Sequence, residues 1–173
     1  MTLYLVRHGR PLVDRTRSAA TWPLDPTHEH EVLALRVRRS LPSSAAWCSS
    51  PEPKALETAR LLADGHVTVV SDLREQVRGN GGWVDDLPAV MQAAFARPDE
   101  PAMPGWESLS ATRERVGAAA RGILARHLGQ DVVLVGHGTA WTLLAAELTG
   151  TPPDVGRWAR LAMPDVIRVE HPR

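Results

Sequence analysis

The chain has 173 residues, 43% of them hydrophobic, with 20 acidic and 20 basic side chains and a net charge of zero. That length suits one domain with a substantial core, and the balanced charge removes any general pull towards nucleic acid or a membrane surface, so an anionic ligand must be held by local groups. Cys48 is the single cysteine, which excludes an internal disulfide and a cysteine-based zinc site; with no apolar run long enough to span a bilayer, a reducing, cytoplasmic setting is expected.

The first element, Thr2–Arg7, reads as a buried strand stopped by His8-Gly9, which puts a guanidinium and an imidazole at a strand end. Residues 10–27 read as a loop leaving that end, and Asp25 or Thr27 can cap a helix opening at 28–31 with Val32 and Leu35 on its apolar face. His28 and His30, two apart at that helix start, are expected to diverge, which argues against a metal pair. Residues 45–48 form a short strand ended by Ser49-Ser50-Pro51, and a helix follows over 53–63 with Leu56, Ala59 and Leu62 on one side. A third strand covers 67–70 and leaves Glu75 just beyond its end.

Residues 76–106 hold a short helix at 88–96 but are otherwise rich in Pro, Gly and Asp, too long for a plain connection, and are expected to form a lid. Asp85, Asp86, Asp99 and Glu100 make that lid acidic, which predicts that it repels substrates with extra phosphates. Ser108 can cap a long helix over 109–128. Residues 131–135, branched and aliphatic after Asp131, form the clearest buried strand and stop at Gly136-His137-Gly138. Thr139 is expected to cap the next helix, which runs to Thr149, and the alternating segment 166–170 reads as an edge strand. Strands interleaved with helices predict a three-layer α/β sandwich with a mostly parallel sheet, in one domain spanning 1–173.

The ends of parallel strands share one edge, so Arg7, His8, the turn from Ser49 to Lys54, Glu75 and His137 are expected to converge there. Two cations and two imidazoles describe a pocket for a phosphoryl dianion, with one imidazole neutral and nucleophilic. A buried Glu75, kept protonated beside the phosphate, would pass a proton to the leaving oxygen.

With these residues in view, the chain resembles the histidine phosphatase superfamily, the phosphoglycerate mutase-like family with the RHG signature. Leu5-Val-Arg-His-Gly9 resembles its opening motif, the stretch from Ser49 to Ala59 its second, Trp106-Glu-Ser108 with Arg115 the helix start after the lid, and Val135-Gly-His-Gly138 the last. The resemblance implies that His8 accepts the phosphoryl group, Arg7 clamps its oxygens and His137 donates to it, with Glu75 as general acid and Gly138 beside the bound group. It implies no metal and no cofactor. Where the family pattern has a second arginine this chain has Lys54, its only lysine among nineteen arginines; Arg10 is the further candidate to share the phosphate. Pro11 to Asp14 replace the Thr and Asn that follow RHG in the family, and His28 stands where its first helix has glycine. Cys48 and Lys54 have the spacing of a cysteine phosphatase loop but lack its arginine and glycines, so Cys48 is read as a buried small hydrophobe.

The expected activity is hydrolysis of a small phosphomonoester through a phosphohistidine. The rival readings are a non-catalytic phospho-ligand binding module and a mutase, the latter disfavoured by the short segment between Glu75 and Glu107. Oligomeric state has no signature in the chain.

Overall fold

In the computed structural model, which describes residues 1–38, 41–79 and 83–170, five strands form one sheet in the order β3-β2-β4-β1-β5. These are β1 (Thr2–Arg7), β2 (Ala46–Ser49), β3 (Val67–Val69), β4 (Val132–Gly136) and β5 (Asp165–Glu170). β4 is central and buried throughout, paired in parallel with both β1 and β2, which is why its sequence is aliphatic on both faces. β5 runs antiparallel to β1 at the edge, and its alternating pattern matches that position.

Two helical layers cover the sheet. On one face α1 (Glu29–Arg38) and α2 (Pro53–Leu62) bury Val32, Ala59 and Leu62 against Val6, Trp47, Val133 and Val135. On the other, α4 (Leu109–Arg126) and α5 (Gly138–Thr149) bury Val116, Ile123, Trp141 and Leu144 against Leu3, Leu5, Leu134 and Cys48. The period-2 side-chain alternation of β1 therefore feeds two cores, Leu3 and Leu5 to one and Val6 to the other. Within the segment 76–106, α3 (Leu87–Ala96) packs Met91 and Ala94 with Trp106, Leu109 and Leu143 in a third cluster.

Several expectations change in detail. Asp86 caps α3, Asp99 accepts from the Ser110 hydroxyl and Glu100 pairs with Arg97, so three of the four acidic residues assigned to substrate repulsion serve local folding. The chain opens α1 through a 3-10 turn at Pro26–His28, and the rings of His28 and His30 consequently stack with centroids 6.2 Å apart rather than diverging. A sixth helix, α6 (Val155–Arg160), has no signature in the sequence because it is one and a half turns long with no buried residue. Asn80 to Gly82 of the glycine-rich stretch lie outside the described residues. Among the described residues no helix is long and apolar enough to cross a membrane.

Candidate active site

The parallel register brings the strand ends together. Arg7 lies opposite Gly136 in the β1–β4 ladder, and the His8 amide continues it by donating to the Gly136 carbonyl at 2.9 Å. Ser50 does the same from β2, donating to Val135. His8 and His137 thus arrive side by side, edge to face, with ring centroids 5.3 Å apart. They are 6% and 1% exposed.

His8 Nδ1 is 2.6 Å from the Gly9 carbonyl. A carbonyl can only accept, so in the neutral ring Nδ1 carries the hydrogen and Nε2 carries the lone pair. Burial, then the nearby His137 and the cations Lys54 and Arg7, hold His8 well below the ordinary histidine pKa of 6.5. His137 is lowered to about 3, chiefly by burial, against the opposing pull of Glu75. Both rings are therefore neutral at neutral pH. His137 Nε2 lies 2.8 Å from the Ser50 hydroxyl, and Gly9 is fixed by its amide donating to Thr58 Oγ1 at 3.0 Å. A Cβ on Gly9 would come within 2.6 Å of Val32 and 2.7 Å of Leu24, so the turn after His8 needs glycine.

Arg7 donates through Nη1 to the Leu161 carbonyl, while its Nε is buried with no hydrogen-bond partner among the described residues. A Cβ on Gly138 would stand 3.3 Å from that Nε, so glycine there lets the guanidinium lie against the first turn of α5. Lys54, 5% exposed, donates to the Ala19 carbonyl at 2.7 Å and to Glu52 at 2.5 Å. Arg10 is not gathered into this group: it is exposed, pairs with Glu31 at 2.9 Å and lines an open cleft of about 620 Å³ with Leu161, Ala162 and Met163. Arg78, which no sequence motif singles out, has its Nε buried without a partner among the described residues and its guanidinium 5.2 Å from the Trp106 ring centroid.

Glu75 lies at the N-terminus of α5, where its carboxylate accepts from the amides of Thr139 at 3.1 Å and Ala140 at 3.0 Å. Thr139 is therefore not the cap: His137 occupies the N-cap position without a side-chain bond, and Glu75 supplies the acceptor from another part of the chain. This geometry also sets the charge of Glu75 in the free protein. Burial pulls its pKa up, but His137, Arg78 and the amides of Gln76 and Thr139 together bring it below the ordinary carboxyl value. Because His137 is neutral above about pH 3, Arg78 and the amides carry that effect near neutrality, and in the free protein Glu75 is a carboxylate.

A half-buried pair holds the segment that carries Glu75. Arg115 reaches from α4 to Glu107 at 2.6 Å and donates to the carbonyls of Asp72, Arg74 and Glu75. Glu107 returns the contact by accepting from the Val77 amide at 3.1 Å. Arg115→Ala leaves a half-buried carboxylate unpaired and three carbonyls without their donor, so urea unfolding should register a loss of about 3 kcal/mol. A loss below about 1 kcal/mol would reduce the pair to a surface contact.

The profile of the histidine phosphatase superfamily (branch 1) matches residues 3–173. The chain belongs to the histidine phosphatase superfamily. Among solved structures it is similar to YhfR of Bacillus stearothermophilus, with 27% identity, TM-score 0.77, and coverage of 98% of this chain and 90% of that one. A protein of Thermus thermophilus is 29% identical over 100% of this chain and 95% of its own, with TM-score 0.73. A mycobacterial glucosyl-3-phosphoglycerate phosphatase shares the fold at 22% identity and TM-score 0.77, over 96% of this chain and 88% of its own. No curated protein sequence matches the chain. The superfamily and its phosphatase neighbours make this a phosphatase- or mutase-type enzyme fold, acting on small phosphorylated compounds in those relatives whose activity is named.

Proposed function

We propose that the protein is a phosphomonoesterase working through a phosphohistidine on His8, with residues 76–106 as the lid of a single domain. What carries the reading is the pair of neutral, buried imidazoles 5.3 Å apart, one with its Nδ1 committed to a carbonyl and its Nε2 lone pair left over. Arg7 and Arg78, each with a buried Nε lacking a partner among the described residues, supply donors for the phosphoryl oxygens. His8 Nε2 attacks phosphorus and the ester P–O bond breaks towards the alcohol. A phosphoryl dianion beside Glu75 pushes its pKa up, so the proton that Glu75 gives to the leaving oxygen is taken up with the substrate. The Glu75 carboxylate then takes a proton from water, the hydroxide attacks phosphorus and the P–N bond breaks, returning His8.

The deciding assay is hydrolysis of p-nitrophenyl phosphate and a panel of alkyl phosphates by the purified protein in EDTA; no turnover of any ester overturns the reading. A phospho-ligand binding module is the second reading, favoured by the Lys54 ammonium already being paired with Glu52. The same assay separates the two.

Glu75→Gln should discriminate between leaving groups. A departing p-nitrophenolate needs little protonation, whereas an alkoxide needs a full proton transfer, for which a general acid contributes on the order of 10²–10⁴-fold. The substitution also gives α5 one oxygen acceptor where it had two, an effect common to all substrates. The ratio of alkyl to aryl turnover should therefore fall at least about tenfold, and an unchanged ratio removes Glu75 from acid catalysis.

A further inference from the structure

Glu52 belongs to the second motif, where the sequence assigns it no role, yet it is a buried carboxylate among the groups expected to hold the phosphate. It is 8% exposed, its Oε2 is 2.5 Å from Lys54 Nζ, and its Oε1 accepts from the Glu75 amide at 2.9 Å and stands 3.4 Å from His137 Nε2. It occupies the N-cap position of α2 but makes no side-chain cap bond to that helix. An acidic side chain beside a helix N-terminus gains stability from the exposed amides of its first turn, and Glu52 forgoes this to face Lys54.

A buried ion pair is not in itself a source of stability, since desolvating both partners offsets their attraction. The Glu52–Lys54 pair is better explained by what it does to an anion site. Lys54 has three N–H donors; Ala19 and Glu52 take two, which leaves one for a ligand. Its charge is matched by the Glu52 carboxylate, and with both imidazoles neutral the standing cations are Arg7, Lys54 and Arg78 against Glu52 and Glu75. A phosphoryl dianion entering this set meets one more negative charge than it would without Glu52.

We infer that Glu52 is an affinity-setting residue: an internal anion that competes with the phosphoryl group for the Lys54 ammonium, keeping phosphate binding weak so that the product leaves. The inference rests on the phosphatase reading. It accounts for lysine and glutamate occurring two residues apart, since a carboxylate here needs a cation beside it and the point charge of an ammonium can be shared between two anions.

The test is calorimetric titration of wild type and Glu52→Gln with inorganic phosphate, alongside Glu52→Asp, which keeps the charge. Glutamine retains an oxygen for the Glu75 amide, so the charge is the main change. Glu52→Gln should bind phosphate at least about tenfold more tightly and show stronger product inhibition, because removing a like charge at this range in a partly dry site has an effect of that order. Glu52→Asp should show no such tightening. A purely structural role would weaken binding, so the sign decides, and equal or weaker binding by folded Glu52→Gln overturns the inference.

Lys54 is the only lysine, so ¹⁵N-lysine labelling gives one side-chain ammonium resonance in the unaltered enzyme. It should move as phosphate saturates the site. This readout stands even if Glu52→Gln does not fold, and a resonance that stays still while phosphate binds also overturns the inference. If neither protein binds phosphate and no ester is hydrolysed, the phosphatase reading itself fails, and this inference with it.

Discussion

Replacing His8 by alanine is expected to lower ester hydrolysis on the order of 10⁴-fold or more, because in the proposed mechanism the substitution removes the atom that forms the covalent bond rather than a group that assists it. Residual turnover would reflect only binding and the fixed cations, which alone give far smaller accelerations in enzymes stripped of their nucleophile. The variant should fold, since among the described residues His8 makes one side-chain hydrogen bond, to its own neighbour Gly9, and its backbone amide bond to Gly136 is untouched. Rapid quenching of wild type with radiolabelled substrate should trap acid-labile, base-stable protein-bound phosphate, and the alanine variant should trap none. Turnover by His8→Ala within about tenfold of wild type would transfer the nucleophile's role to another group or to water.

The parts of this site that are legible in the sequence are those fixed by local pattern. β1 has an apolar centre, β4 is apolar throughout, and each stops at a His-Gly step, which places His8 and His137 at strand ends without any tertiary contact. Their adjacency follows from parallel pairing, which the alternation of strands and helices implies. What is not legible depends on contacts across the chain. The acceptor that caps α5 is Glu75, 64 residues before Thr139, so a local search for a cap stops at the nearest hydroxyl. Arg10 follows the His8-Gly9 step closely in sequence, but its side chain pairs with Glu31 on α1 and not with the site. Glu52 looks like an ordinary helix-start carboxylate, and only the burial of both it and Lys54 gives it a different meaning. Charge states are likewise illegible: burial alone favours a protonated Glu75, and His137, Arg78 and the amides of Gln76 and Thr139 together reverse that preference.

The two buried imidazoles make a second large prediction, about acid stability. An unfolded histidine titrates near 6.5, whereas the folded pKa of His137 is about 3 and that of His8 is also well below 6.5. A histidine whose pKa is depressed by folding binds its proton more readily in the unfolded chain, so its contribution to stability is complete above about 6.5 and is lost as pH falls towards the folded value. Such a group costs about 1.4 kcal/mol per pH unit once the unfolded form is protonated, so His137 alone should remove about 2 kcal/mol between pH 7.5 and 5, with His8 adding to the loss in the same direction, against the ~5–15 kcal/mol that holds a typical domain together. Glu75 and Glu107, whose pKa values are lowered from 4.5, add to the loss only at still lower pH. Urea unfolding at intervals across this range should show the decline, and His8→Gln, which removes one titrating ring, should show a smaller one. A stability that stays level from pH 7.5 to 5 would mean that the imidazoles are reached by water and charged in the folded state. The acid limb of activity should lie below that of an ordinary histidine, because the depressed pKa of His8 keeps its Nε2 lone pair available at a pH where a free imidazole is already protonated.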